Sequence, residues 1–536
     1  MGKQSHQNES CSGQRNRVLT ALVLCSILGM GVGIQPVWAA DVTEKSVTMS
    51  SGSGSAYGGQ ASGTDNAVNN TLTISGTAEV ALAYGGYADQ GKATGNTLNI
   101  SGGSLYQGFG GSSNTNEASG NNVNLTGGKI IQTLSAGSSS SGNTDHNTLS
   151  VSGITQEDST EAAYLRGAQT TGGSAAYNKV ELTNVTTKVK GLDGAFIIDG
   201  SGDASYNQVT VTGSSLSISK TDPVLINGAI NAGSGKLYHN TVIIDSTNLN
   251  GSGARAADRS YDVTGTAEYN ELIVRNGGKT GYLASAYQRY GDASHNTVTV
   301  TSSEAAGVQG ANIGQKGNSV KNEVVVTDST VETAVQGGVT ALGSAVGNSV
   351  TVDGTSTVSW YVEGGSTFAS EGKVGAAGNQ VTVTGTASVP EAYGGRSTGA
   401  DVVGNSVTYN SLAGQTEVAV LGGYSVGGNA GQEETFTYDG VSYEGGNTVT
   451  AAGNSSFLDI MGGYAAADDS GKGGNAVNNT VRRQQRHRSG QCHVQQDLRR
   501  LCRKWRCHQQ RRSSGRRKWS SFQYGVRRLY RYGQCQ

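Results

Sequence analysis

Several patterns in this 536-residue chain carry residue types capable of chemistry, and their spacing decides what each can do. Asp469-Ser470-Gly471 echoes the nucleophile string of serine proteases, but it falls in the same inter-repeat position as Ala88-Asp89-Gln90-Gly91 and reads as repeat loop. A triad also needs a histidine base held by a carboxylate. The histidines between residues 41 and 481 are His146, His239 and His295, each directly before a repeating Asn (147, 240, 296), where Gly or Tyr usually stands. They read as positional variants. Glu433-Glu434 offers paired acids for general acid–base work, and its setting is most simply a solvated loop. Cys492-His493, Cys502 and Cys507-His508 have zinc-ligand residue types. The Gly-rich stretches lack the following helix that a phosphate cradle requires, and the calcium-roll pattern Gly-Gly-x-Gly-x-Asp does not recur. No catalytic, cofactor-binding or metal-binding residue is therefore assigned, and no cofactor is expected.

The positioning elements are a repeat. An Asn followed by alternating apolar residues recurs as Asn70-Thr71-Leu72-Thr73-Ile74, Asn96-Thr97-Leu98-Asn99-Ile100 and Asn348-Ser349-Val350-Thr351-Val352. The series is Asn70, Asn96, Asn121, Asn147, Asn178, Asn207, Asn240, Asn270, Asn296, Asn322, Asn348, Asn379, Asn405, Asn447 and Asn479, with spacings usually of 25–33 residues and most often 26. A second landmark follows some 14–16 residues later as Tyr84-Gly85-Gly86-Tyr87, Tyr393-Gly394-Gly395, Leu421-Gly422-Gly423-Tyr424 or Met461-Gly462-Gly463-Tyr464. A unit reads as strand, turn, strand, Gly-rich loop. Period-two alternation with β-branched residues means strands with one apolar face, and no unit shows helical periodicity. One unit of this length cannot bury its own valines, so units must stack. The expected fold is all-β, a parallel β-helix (β-solenoid) of about fifteen 25–33-residue repeats with Asn or Thr ladders. A propeller blade needs about 40 residues and four strands, more than a unit holds. Asn-x-Thr strings such as Asn69-Asn70-Thr71, Asn124-Leu125-Thr126 and Asn478-Asn479-Thr480 fall on these rungs and read as stacking residues.

The net charge of −1 hides three pieces. Residues 1–40 hold 3 basic and 1 acidic residue, residues 41–481 hold 19 and 38, and residues 482–536 hold 17 and 1. Cysteine is confined to the two outer pieces, so the middle needs no disulfide. Residues 1–40 read as a signal peptide: Lys3, Arg15 and Arg17 precede an apolar run from Val18, and Val37-Trp38-Ala39 supplies small residues for cleavage after Ala39 or Ala40. An uncleaved anchor is the alternative, weakened by Gly29, Gly31, Gly33 and Pro36.

With the signal ending Val37-Trp38-Ala39-Ala40-Asp41 and the Gly-Asn-x-Val-x-Val and Tyr-Gly-Gly repeats across 41–481, the chain resembles the passenger domains of autotransporters, the type V secretion proteins of Gram-negative bacteria. The resemblance implies a surface-displayed β-helical stalk followed, in full-length relatives, by a C-terminal outer-membrane barrel.

Residues 482–536 depart from that pattern, with 15 Arg, 4 Cys and 2 of the 4 Trp in the chain. Taken at face value they are a basic arm for nucleic acid. The genetic code favours another origin. In the frame one base forward Trp becomes Gly, Cys becomes Val or Ala, and Arg482 through Arg488 permit Val-Asp-Asn-Ser-Val-Thr-Val, which contains the string at Asn348 to Val352. Leu498 through Cys507 permit a run beginning Tyr-Gly-Gly-Tyr, and Val526 through Leu529 permit Tyr-Gly-Gly-Tyr again. The segment reads as out-of-frame translation of further repeats, a disordered basic tail with no nucleic-acid role by design and no zinc site.

These readings make the chain a non-enzymatic surface or adhesin-type passenger, exported, with a host protein or glycan as unidentified ligand. As a truncated product without its barrel it is expected to be non-functional, and to stay in the periplasm or be degraded there, while full-length relatives reach the cell surface and outer membrane. The alternative is a glycan-active β-helix enzyme, which would show carboxylates converging on one face within about 5–10 Å.

Overall fold

The alternation after each Asn places every second side chain on one face of a strand, and a face of Val, Leu and Ile must be covered. The computed structural model, which describes residues 41–156, 163–218, 224–368 and 373–483, covers it by winding the chain into a parallel β-solenoid of about fourteen turns, with no helix among the described residues. The signal segment with Ala39 and Ala40, the cysteines and residues 484–536 lie outside the described residues.

Each turn supplies a rung strand after its Asn, such as Thr297–Thr301, a long strand, such as Glu304–Lys316, and a two-residue short strand before the next Asn, such as Ser319–Val320. Each pairs in parallel with its counterpart in the next turn. The rung register is uniform: Val350 lies beside Val381 and Val352 beside Val383, and all four are at most 1 % exposed. Replacing Val352 by Asp puts an unpaired charge in this column, at an expected cost of about 3–5 kcal/mol. Local proteolysis and circular dichroism check this, and a variant as resistant as the parent would place Val352 outside the core.

In cross-section the interior is two apolar columns. The larger is walled by the rung strands and the first half of the long strands, with Leu72, Ile74, Val298, Val300 and Val308 among its members. The narrower lies between the second half of the long strands and the short strands, and is built mainly of alanine, including Ala175, Ala204, Ala267 and Ala293.

The Asn residues stand at the waist between them. Asn270 is typical: its backbone N–H and its Nδ2 both donate to Asn296 Oδ1, at 3.0 and 2.9 Å, and Nδ2 also donates to Leu237 O at 3.1 Å. Its own Oδ1 accepts from the N–H and Nδ2 of Asn240, both at 3.0 Å. The ladder runs from Asn70 to Asn479. Buried amides are tolerated because donors and acceptors are paired along the stack.

Two features differ from the sequence reading. The Gly pairs are strand, not loop: Tyr84-Gly85-Gly86-Tyr87 lies inside Glu79–Ala88, and Leu421-Gly422-Gly423-Tyr424 inside Val418–Val426. The reason is the waist, where a Cβ on Gly86 would stand 2.2 Å from Asn96 Cγ, so the backbone itself packs on the ladder. The array also starts one turn earlier than Asn70. Ser46–Met49 pairs with Thr71–Ile74, and Lys45 occupies the Asn position, donating only its backbone N–H to Asn70 Oδ1 at 3.1 Å.

Candidate functional site

On the long strands the residue before the Gly pair and the residue after it point away from the core, and lean together over the glycines. This forms a seam along the solenoid, polar and aromatic, in which several charged side chains of different turns meet.

In its middle Arg166 Nε donates to Asp193 Oδ2 at 3.1 Å, and Asn227 Nδ2 donates to Asp193 Oδ1 at 3.0 Å. The Arg166 guanidinium also lies 4.2 Å from the centre of the Phe196 ring and 4.8 Å from that of Tyr164. Burial pushes the Asp193 carboxyl above the usual carboxylate range, against the pull of Arg166 and Asn227. Two turns on, Arg255 Nη1 meets Asp258 Oδ2 at 2.8 Å and stacks 3.7 Å over Tyr287, while Ser260 Oγ donates to Asp258 Oδ1.

A second cluster lies further along. Glu363 has a fully buried side chain, and its counter-ion is Arg396, whose Nη2 lies 3.1 Å from Oε2. No aligned hydrogen-bond donor meets either Glu363 oxygen, so the compensation is ionic. Arg396 sits 5.2 Å from the Tyr361 ring centre and 5.7 Å from that of Tyr393. Burial works against its charge, and Glu363 with the two tyrosines more than offsets this, holding the guanidinium above its ordinary range. Tyr393 donates its hydroxyl to Glu391 Oε2 at 2.8 Å, and burial followed by the Glu391 charge pushes that phenol up.

Carboxylates of several turns thus lie along one face, although Asp193 and Glu363 stand six turns apart. The oxygens of Asp193 and Asp258 are committed to Arg, Asn and Ser, and Glu363 is shut off from solvent beside Arg396. A general acid or base must instead reach a substrate proton. The sequence reading missed this seam because its charges are scattered over positions 166, 193, 258, 363 and 396. Aligning the units on their Asn residues and comparing the positions flanking the Gly pair would have shown them.

The motifs singled out at first lie elsewhere. Ser470 donates its hydroxyl to Asp468 Oδ1 at 2.6 Å, closing a turn in which Lys472 N–H reaches the same oxygen at 2.9 Å. Glu433 and Glu434 are exposed. Among the described residues no group of three His, Cys, Asp or Glu side chains is arranged to hold a metal ion.

The three histidines share a structural place. The residue before most ladder Asn residues turns the corner with a positive φ, near +55° in His146, Tyr177, Tyr206, His239, Tyr269 and His295. These six rings stack in sequence at centroid separations of 4.8, 4.8, 5.0, 5.3 and 4.8 Å. A left-handed backbone costs a side-chain-bearing residue about 1–2 kcal/mol, and each aromatic pair offsets about 0.5–1.5 kcal/mol of this. Stacking thus holds bulky rings where glycine would be the default.

His295 closes the ladder with its Nδ1 buried and unpartnered. Burial and then the nearby Lys321 disfavour its cation, with Glu268 and Asp439 opposing, and the net effect lowers its pKa below the ordinary histidine value. A histidine with a depressed folded pKa adds stability above its unfolded pKa that is lost as pH falls through the folded one. Replacing His295 by Tyr, the residue at 177, 206 and 269, should shrink the fall in melting temperature between pH 7.5 and pH 5. An unchanged fall would mean that His295 titrates freely.

No known protein family, curated protein or solved structure matches this chain.

Proposed function

We propose that the chain is a non-enzymatic stalk of the adhesin type, an autotransporter-like passenger whose extended face is suited to bind a host protein or glycan, and that only full-length relatives display it at the cell surface. The observation that carries this reading is the seam. Its carboxylates are either paired with intramolecular donors, as Asp193 and Asp258 are, or fully buried beside a counter-ion, as Glu363 is, which suits a packed structural face better than a catalytic cleft, and a stack of like turns presents a long, repetitive surface. The acidic balance of residues 41–481, 38 acidic against 19 basic, keeps such a surface soluble.

The same proposal takes the segment after Val481 as out-of-frame. Its support is positional. The strand Thr480–Arg483 continues the rung register and sets Arg483 beside Ala451, in the column that holds Ile74, Val300, Val352 and Tyr409. A guanidinium replaces an apolar core residue there, and Arg483 is left exposed. Resequencing the codons for residues 475–490 tests this, the expected result being a lost or gained base whose correction restores the Asn-x-Val-x-Val pattern.

For the stalk itself, the purified chain should bind one or more members of a panel of polysaccharides and extracellular matrix proteins without turnover. Release of reducing ends or of peptide fragments would bring the glycan-active enzyme forward instead.

A further inference from the structure

The spacing of the ladder breaks once. Asn405 and Asn447 are 42 residues apart, and the extra residues form a hairpin of Phe436–Tyr438 with Val441–Tyr443, the one antiparallel pair among the described residues. Phe436, Tyr438 and Tyr443 pack on Val346, Val374, Ala377 and Val403. Positions 346, 377 and 403 are the outward residues of short strands, a place held mostly by polar side chains in other turns, such as Thr94, Ser119, Asp145 and Ser294. The apolar seat lies where the hairpin lies.

The corner column changes with it. Where six turns carry His or Tyr, the turns beneath the hairpin carry Gly347, Gly378 and Gly404, all with positive φ. A Cβ on Gly378 would stand 2.0 Å from Tyr443 Cδ1, one on Gly347 would stand 2.9 Å from its hydroxyl, and one on Gly404 would stand 3.2 Å from its Cβ. The Tyr443 side chain therefore runs along three successive turns in a groove that only glycine leaves open. The hairpin leaves the chain after Asn405 and reaches back over the three preceding turns.

Turns of a solenoid ordinarily touch only their neighbours, so the array opens turn by turn from an end. We propose that the hairpin Phe436–Tyr443 is a strap that joins the turns from Asn322 to Asn405 into one cooperatively opening block, and halts unwinding that arrives from the C-terminal side. The turn of Asn447 can open alone, while the turn of Asn405 opens only when the strap is unseated.

Hydrogen exchange of the full chain tests this. Gln432 N–H already donates to Gly445 O at 2.9 Å, so residues 433–444 can be deleted and the ends joined. The expected result is at least ten-fold faster exchange in Val335–Leu342, Tyr361–Thr367 and Glu391–Thr398, with Thr148–Ser152 and Gln208–Thr212 unchanged. Gly378→Ala and Gly120→Ala form a second comparison: their φ values are +62° and +63°, but a Cβ on Gly120 meets only Gly95 N at 3.8 Å. Gly378→Ala should reproduce the ten-fold loss around its own turn, Gly120→Ala should change exchange around its turn less than three-fold, and adding Tyr443→Ala to Gly378→Ala should add nothing. Unchanged exchange in the strap deletion would overturn the proposal. Equal effects of the two alanine variants, each around its own turn, would overturn it as well.

Discussion

Asn270→Ala is expected to destabilise the solenoid by about 4–6 kcal/mol, a large loss for one side chain, because the ladder makes each amide serve two turns. Removing Oδ1 leaves the N–H and one Nδ2 hydrogen of Asn240 unpaired, and removing Nδ2 leaves Leu237 O without its donor. Each stranded buried group costs about 1–3 kcal/mol, and the solid wall of backbone at the waist leaves little room for water to substitute. Asn270→Asp keeps the shape and separates hydrogen bonding from packing. Its second oxygen would face two acceptors, Leu237 O and Asn296 Oδ1, so this variant should be at least as unstable at pH 7 and recover part of the loss near pH 4, where a protonated carboxyl can donate. Chemical denaturation of both variants at the two pH values checks the pattern. An alanine variant within 1 kcal/mol of the parent would mean that the ladder amides are hydrated.

The second large effect is expected at Arg396. Truncation to Met keeps most of the volume and removes the counter-ion of Glu363, whose side chain is fully buried. Breaking one half of a buried pair costs about 3–5 kcal/mol, whereas replacing both halves with uncharged groups is often close to neutral. Arg396→Met should therefore be strongly destabilised, and Arg396→Met with Glu363→Gln should recover most of the loss. If the double variant is no better than the single one, packing of Arg396 against Tyr361 and Tyr393 is the main contribution, and the charge pair is incidental.

Both effects concern positions of different legibility. The ladder amides could be named from sequence because one geometric demand recurs at a near-constant interval: each Asn must meet the next, so Asn70 and Asn447 look alike despite different surroundings. The valines two and four residues later follow for the same reason, since a strand has a fixed two-residue period. Position 483 shows the value of that rule, because an Arg in this column stands out before any coordinates are consulted.

The seam and the strap were not legible in the same way. Arg166 and Asp193, or Glu363 and Arg396, become neighbours only when turns are stacked in register, and nothing local to either residue announces its partner. The Gly pair was misread as loop because glycine carries the same local preference for turns wherever it stands. Its role as the flat surface against Asn96 or Asn405 depends on what packs above it. Likewise the 42-residue gap between Asn405 and Asn447 marked an insertion, but its place over Gly347, Gly378 and Gly404 is a long-range contact. The sequence by itself determined the all-β class, the repeat, the ladder and its core columns, because these follow from local alternation and periodic identity. Only the tertiary structure decided which charges pair, that the histidines stack with tyrosines as a ring ladder, and that a hairpin reaches back across three turns. Those depend on contacts between residues distant in the chain, which a local pattern does not encode.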